Sequence, residues 1–311
     1  MALENRTIAV TGGMGFIGSW IAEALCGKNM VRVLDNFSSG NPANLAKVKK
    51  AVRIVRCDIR DAGKVSAGLK GTDMVFHQAA NIMIPVSVKD PVFDANVNIL
   101  GTMNVLEACR KNDVKRLVFA SSSAVYGEVE YLPINEDNIP NPKSPYACSK
   151  MAAEFYTRLY WQLYGLETVC LRYFNVYGPR QNPDSPYSGV ISIFSKRLAE
   201  NKPIIVYGDG NQTRDFVNVK DVVAANLLAA ESDEAIGRAI NIGSGKSVSI
   251  NKLAETMQKA AGRKATVGHE EARPGDIRHS VADIGLAKKT LGFKPQIALE
   301  DGLKELVPGN K

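Results

Sequence analysis

Residues 11–18 read Thr11-Gly12-Gly13-Met14-Gly15-Phe16-Ile17-Gly18, a G-x-x-G-x-x-G pattern lying between two apolar runs of different period. The run before it, 6–11 (RTIAVT), is short and β-branched and predicts a strand. The run after it, 15–27 (GFIGSWIAEALCG), has helical spacing and stops at Gly27. Glycines there let the backbone turn sharply and come close to a pyrophosphate. The helix start that follows offers free N–H groups and a partial positive charge. A second apolar run at 30–34 (MVRVL) completes strand, turn, helix, strand within the opening 35 residues.

The alternation continues. Strand-like runs are 52–57, 74–77, 115–120 and 166–171, and helix-like runs are 91–111 and 146–164. Strands alternating with helices imply a parallel sheet covered on both faces. Right-handed crossovers would then put every strand's C-terminal end on one rim, where ligands bind. After about 175 the pattern changes. Residues 178–189 are rich in Pro, Gly and polar residues and predict an irregular loop. Beyond it, 190–200 and 220–231 predict helices and 203–207 a strand, in a smaller lobe closing over the rim.

Composition narrows the class. At 311 residues the chain has ample room for a core, and 45% hydrophobic with 23% charged residues is ordinary for a globular protein. No apolar run reaches the ~18 residues of a membrane span, and MALENRTIAV has no signal-peptide pattern. Cys26, Cys57, Cys109, Cys148 and Cys170 are scattered and never form C-x-x-C, so no zinc site or disulfide framework is expected, and a cytoplasmic location fits. The net charge of +7 is spread along the chain, with no basic cluster that predicts nucleic-acid binding.

Asp35 ends the second strand, 17 residues past Gly18. A carboxylate there can bond both hydroxyls of an adenine ribose and would repel a 2′-phosphate, which favours NAD over NADP. Asp58 ends the third strand; it could reach the adenine edge or cap a following helix. Tyr146 and Lys150 form Y-x-x-x-K at a helix start, one turn apart on one face. Tyrosine titrates near 10 when free, so a base near neutrality needs it lowered by roughly 3, or about 4 kcal/mol of preference for phenolate. A neighbouring ammonium can supply part of that. Ser121-Ser122-Ser123 follows the fifth strand at the same rim and offers a hydroxyl to a substrate oxygen.

Together TGGMGFIG, Asp35, His77-Gln78-Ala79-Ala80, SSSAVYG and SPYACSK resemble the extended short-chain dehydrogenase/reductase family. LRYFNVYGPR (171–180), GDGNQTRDFV (208–217) and RPGDIRHS (273–280) narrow the resemblance to UDP-sugar 4-epimerases, over about residues 6–295. The resemblance implies an α/β fold: a Rossmann-type doubly wound parallel sheet with a smaller C-terminal substrate-binding lobe. Residues 1–175 with about 212–242 would hold NAD; about 176–211 and 243–311 would form the nucleotide-sugar lobe.

It also implies roles. Gly12, Gly15 and Gly18 surround the pyrophosphate, with N–H groups from Phe16 and Ile17. Asp35, Asn36, Ser38 and Gly40 hold the adenosine half, and Asp58 and Ile59 flank the adenine. Ala79, Ala80 and Asn98 line the cofactor path. Tyr146 is the base, Lys150 holds the nicotinamide ribose, and Ser122, four before Tyr126, is the hydroxyl partner. Asn175, Arg214 and Arg273 meet the diphosphate, and guanidinium geometry suits that task. Val190, Val206, Tyr207 and Asp276 are further substrate contacts. Ser280, small where a Tyr would fill the space, borders the sugar's C2 substituent and leaves room for an N-acetyl group. Cys148 stands where the family more often has Gly or Ala. Family members are usually homodimers through two helices each, here about 91–111 and 146–164.

The implied reaction is reversible C4 epimerisation through a 4-keto sugar with NAD regenerated. An NDP-sugar 4,6-dehydratase or a UDP-uronate decarboxylase shares the fold, but those enzymes use an acid near the catalytic hydroxyl, and here no carboxylate comes before Glu128. A non-catalytic NAD-sensing protein is a third reading, against which the intact Tyr146 and Lys150 stand.

Overall fold

The computed structural model describes residues 3–182, 189–272 and 277–307. Candidates Arg273 and Asp276 lie outside the described residues.

The first half alternates as the periodicity predicts. It runs β1 (Thr7–Thr11), α1 (Phe16–Leu25), β2 (Met30–Asp35), β3 (Val52–Arg56), α2 (Ala62–Leu69) and β4 (Met74–His77). Then come α3 (Ile84–Lys89), α4 (Pro91–Ala95), a π-helical turn (Asn96–Leu100), α5 (Gly101–Lys111), β5 (Arg116–Ser122), α6 (Pro145–Tyr164) and β6 (Glu167–Tyr173). The second half holds β7 (Asn175–Tyr177), α7 (Val190–Ala199), β8 (Ile204–Tyr207), β9 (Thr213–Arg214), β10 (Phe216–Asn218), α8 (Val219–Glu231) and β11 (Ala239–Ile242). It ends with β12 (Val248–Ser249), α9 (Ile250–Ala261), β13 (Val267–Glu270), α10 (Gly285–Leu291) and α11 (Leu299–Lys304).

Among the described residues the main sheet is seven-stranded and parallel, in the order β11-β6-β5-β4-β1-β2-β3. The winding direction reverses between β1 and β4, so the crevice lies beyond Thr11 and His77, where ligands bind in such sheets. Side chains alternate across the sheet. Ile8, Val10, Val33, Phe76, Val118 and Val169 pack on one face against α1 and α8. Ala9, Leu34, Val75, Leu117 and Phe119 pack on the other against α2, α5 and α6. That two-residue period, buried on both sides, is what a doubly covered parallel sheet demands.

A second core lies in the later part, where Ile191, Phe194, Ile204, Val206, Leu253, Met257 and Leu303 pack together. Ala287 and Leu291 of α10, with Phe293, pack instead into the sheet's first core.

The expected single helix over 91–111 is two α-helices joined by the π turn at Asn96–Leu100. The extra residue in that turn carries Asn98 inward, to 2% exposure. α2, α9 and β11 had no counterpart in the periodicity. α2 carries two glycines in eight residues, which dilutes its helical signal. α9 did carry signals: an N-cap Ser249, which accepts from Lys252 N–H, and a left-handed Gly262 stop. Among the described residues no helix is long and apolar enough to cross a membrane.

Candidate active site

The glycine turn is shaped by close packing. Gly12 sits at φ 64°, and a Cβ there would stand 2.8 Å from the backbone nitrogen of Ala79. Only glycine meets both conditions cheaply. A Cβ on Gly18 would run into the carbonyl oxygen of Gly12, so Gly18 lets α1 lie tight against the turn. Gly15 is the N-cap of α1 and offers no side-chain cap. The first intrahelical bond runs from Ser19 N–H to Gly15 O at 3.2 Å, which leaves the N–H groups of Phe16, Ile17 and Gly18 ahead of the ladder. Donors at a helix start, with side chains excluded from the turn, fit a dinucleotide pyrophosphate.

Asp35 is 6% exposed. Its oxygens accept from Met14 N–H at 2.9 Å and Phe37 N–H at 2.8 Å, so it ties the glycine turn to the next loop. Each carboxylate oxygen keeps acceptor capacity for a ribose hydroxyl. Gly40 leaves no room for a side chain beside that carboxylate. Asn36 accepts from Ser38 N–H at 3.0 Å and donates to Asp58 at 3.0 Å. Asp58 gives its carboxylate to Arg60, whose guanidinium holds it well below the usual carboxylate range. The helix-cap alternative for Asp58 is overturned: Asp61 caps α2, accepting from Lys64 N–H at 3.0 Å. Ile59 is buried against Gly101, so its side chain serves the core.

Asn98 does not open onto the crevice with its side chain. It accepts from Asn81 N–H at 2.8 Å and donates to Asn81 O, Asp94 and Ser149. His77 continues this network. Ala79 N–H donates to Thr11 Oγ1, and Thr11 Oγ1 lies 2.7 Å from His77 Nδ1. His77 Nε2 lies 3.0 Å from Thr102 Oγ1, which donates to Asn98 O at 2.7 Å. Because Thr102 spends its proton on Asn98, His77 donates from Nε2 and accepts at Nδ1. Burial, then the charge of Lys150, pushes the imidazole down to about 3, so it is neutral. The chain of bonds links the glycine turn to the π turn, an element common at functional sites.

The serine run and the Tyr146–Lys150 pair lie where β5 meets α6. Ser144 caps α6 by accepting from Ala147 N–H at 3.2 Å, with Pro145 at the first position. Tyr146 follows, and its own N–H donates to Ser87 Oγ at 3.1 Å. Ser122 ends β5, and its hydroxyl acts to lower the Tyr146 phenol. Burial raises the phenol above its ordinary value, the Ser122 hydroxyl draws it back, and the Asp94 charge adds to the rise. The lowering that a base requires is thus not supplied by the protein groups alone, and a cationic ring beside the phenol would complete it. Lys150 is 4% exposed, donates to Ala120 O at 2.9 Å, and is pushed down to about 8 by burial, against the pull of Asp94. Cys148 is exposed, as its position between Tyr146 and Lys150 predicts. Ser121 is unsuited to the hydroxyl role, since it donates to buried Glu154 at 2.7 Å.

The lobe candidates are less uniform. Asn175 and Arg214 are half-buried or exposed, on β7 and β9. Val190 opens α7, and Tyr207 ends β8 with its carbonyl accepting from Gln212. Val206 is 1% exposed inside the lobe's core, so its side chain is not open to a substrate. Ser280 is buried and donates its N–H to Thr213 O at 3.1 Å. Two residues on, Ala282 pairs with Ile134 and packs with Val125 and Tyr126, just beyond Ser122. Glu154, Arg172, Asp94 and His77 are buried polar neighbours of this cluster that motif reading gave no role. Glu154 alone carried a signal, continuing the four-residue spacing of Tyr146 and Lys150.

The doubly wound sheet, the glycine turn at its switch point and the Ser122–Tyr146–Lys150 cluster define a dinucleotide-fold protein of the extended short-chain dehydrogenase/reductase type. A family model described as GDP-mannose 4,6 dehydratase matches residues 9–306. The UDP-glucose 4-epimerase of Mycolicibacterium smegmatis is 39% identical over 309 residues, 97% of this chain and 97% of that protein. The structure of the UDP-N-acetylglucosamine 4-epimerase from Methanobrevibacter ruminantium, in complex with UDP-N-acetylmuramic acid, matches with TM-score 0.94 at 41% identity, covering 97% of each chain. The UDP-glucose 4-epimerase from Thermus thermophilus, in complex with NAD, matches with TM-score 0.88 at 41% identity, covering 96% of this chain and 97% of that one. The chain belongs to the GDP-mannose 4,6 dehydratase family of extended short-chain dehydrogenase/reductases.

Proposed function

We propose that this protein is an NAD-dependent UDP-sugar 4-epimerase, acting on UDP-glucose/UDP-galactose and on the N-acetylated pair. The observation that carries it is the meeting of β5, which ends at Ser122, with α6, which carries Tyr146 and Lys150 one turn apart and is tied to β5 by the Lys150 bond to Ala120 O, at the rim that the glycine turn opens. Tyr146 takes the proton of the sugar's O4. Ser122 donates to the same oxygen and shares the charge that develops there. Lys150 keeps a positive charge beside the phenolate and holds the nicotinamide ribose. NAD, held by the glycine turn, Asp35 and Lys150, would supply a hydride acceptor and donor for C4 of the sugar. Buried Asp35, with no room beside it at Gly40, supports NAD over NADP. Asn175, Tyr207, Arg214 and the 273–280 segment would hold the nucleotide diphosphate while the sugar turns.

The dehydratase reading gains no support at the site. Ser122 is followed by Ser123, Ala124 and Val125, and Glu128 is exposed.

Phe155, Leu159 and Leu163 follow at four-residue spacing on α6 and are 55%, 40% and 62% exposed, while Val92 on α4 is 69% exposed. Apolar side chains so placed on neighbouring helices support a homodimer through these faces. The free cysteines among the described residues fit a reducing, cytoplasmic setting.

The test is direct. Purified protein is assayed for bound NAD and incubated with UDP-glucose and with UDP-N-acetylglucosamine, and proton NMR follows the sugar signals. Both C4 epimers are expected from each. A 6-deoxy-4-keto product would establish the dehydratase, and no exchange with any nucleotide sugar would overturn the reading.

A further inference from the structure

Beneath the Ser122 turn lies a buried polar cluster that the reaction as described does not use. Glu154 is on the same face of α6 as Tyr146 and Lys150, one turn past Lys150, and is 0% exposed. One of its oxygens accepts from Ser121 Oγ at 2.7 Å and from Arg172 Nε at 3.0 Å; the other accepts from Arg172 at 2.6 Å. Arg172, on β6, is 3% exposed and also donates to Tyr126 Oη at 2.7 Å, with its guanidinium 4.8 Å from that ring's centre. Tyr126 in turn donates to Asn241 on β11 at 2.7 Å, and Asn241 donates to Ile134 O at 2.9 Å.

These bonds bracket Ser122. Ser121, one residue before it, is fixed by Glu154. Tyr126, four residues after it, is fixed by Arg172. Between them the backbone runs from β5 into a 3-10 turn over Ser123–Tyr126, started by Ser122 itself accepting from Ala124 N–H at 3.2 Å. Taking a carboxylate and a guanidinium out of water costs about what their attraction returns, so an apolar pair of similar volume would hold the core equally well. What an apolar pair would not supply is directional bonds to a hydroxyl and a phenol on either side of one residue.

The geometry points to Glu154 and Arg172 as positioning residues that hold the turn carrying the Ser122 hydroxyl in register with α6, through Ser121 and Tyr126. The carboxylate is carried by the same helix as Tyr146. Base and hydroxyl are therefore set from a single element, and movement of α6 against β5 is resisted where it would separate them. The inference rests on the epimerase reading for its kinetic test and not for its spectroscopic one.

The experiment is a double-mutant cycle in the full-length, NAD-loaded protein. Glu154→Gln is expected to lower kcat by roughly 10²-fold, the scale of a misplacement near 1 Å, with KM little changed. In a Ser122→Ala background the same substitution should change kcat by no more than about twofold, because the group it aims is gone. Equal losses in both backgrounds would mean a merely structural role and overturn the proposal. Ser121→Ala and Tyr126→Phe, which leave the ion pair intact, run the same cycle should Glu154→Gln fail to fold. The second readout needs no turnover: tyrosine labelled with carbon-13 at Cζ is titrated by NMR, with Tyr146 assigned through Tyr146→Phe. The Ser122 hydroxyl acts to lower the Tyr146 phenol, so Ser122→Ala should raise its titration, and Ser121→Ala should raise it in the same direction. A Ser121→Ala titration identical to wild type, with Ser122→Ala shifted, would also overturn the proposal. A wild type without epimerase activity would sink the functional reading and leave this titration to decide.

Discussion

Lys150 donates its ammonium to the backbone carbonyl of Ala120 at 2.9 Å, and the same nitrogen lies 5.0 Å from the ring centre of Phe119. The helix that carries Tyr146 is thereby tied to the strand that carries Ser122, two residues past the accepting carbonyl. A buried ammonium with one carbonyl partner is costly unless other charge compensates, and burial does push Lys150 down to about 8. The compensating charge is Asp94, itself held by Asn81, Asn98 and Ser149.

That pairing predicts a pH effect. Activity needs Lys150 charged and Tyr146 deprotonated. The ammonium is lost as pH rises through about 8, so kcat should fall on the alkaline side from that region. Asp94 raises both groups, so Asp94→Asn lowers both. Both limbs of the pH–kcat profile should move to lower pH in Asp94→Asn. Profiles that superpose on wild type would show that Asp94 serves only to hold Asn81 and Ser149.

Tyr146→Phe should lower kcat by about 10²–10⁴-fold while NAD content stays near wild type, since the lost oxygen matters mainly in the transition state. Ser122→Ala should cost on the order of 10²-fold. Steady-state kinetics with cofactor release by acid measures both. A Ser123→Ala variant more damaged than Ser122→Ala would move the hydroxyl role one residue along.

Gly18→Ala drives a methyl group into Gly12 O, with Gly13 Cα only 2.9 Å away. The cost should be about 1–3 kcal/mol, with a lower melting temperature and depleted NAD. Gly27→Ala is the control, because nothing lies within 4 Å of its Cβ position. Thermal melts and NAD content read both variants, and equal behaviour would mean the turn tolerates a side chain.

Ser280→Tyr should abolish turnover of UDP-N-acetylglucosamine and spare UDP-glucose. Ser280 is small and buried, and its segment leads through Ala282 to the packing around Val125 and Tyr126. An aromatic ring there takes the space of an acetamido group, which a packed pocket does not absorb. Equal losses on both sugars, or no loss on either, would place Ser280 away from the C2 substituent.

Much of this protein was legible in its sequence because the signals are local. The strand-turn-helix around Gly12 depends on backbone freedom within eight residues, and the four-residue spacing of Tyr146 and Lys150 on geometry within one helical turn. The parallel sheet follows from alternating periods. Asp35 was legible as the end of the second strand, and the exposure of Cys148 from its place between Tyr146 and Lys150. Tertiary structure decided what depends on partners distant in the chain. That Ser121 is engaged by a buried carboxylate while its neighbour Ser122 is not depends on Glu154, 33 positions beyond Ser121. The inward turn of Asn98, the neutrality of His77, the capture of Asp58 by Arg60 and the burial of Val206 depend likewise on neighbours that periodicity does not place. A side chain's burial and charge state are properties of everything packed around it, and only the assembled sheet, helices and lobe determine them.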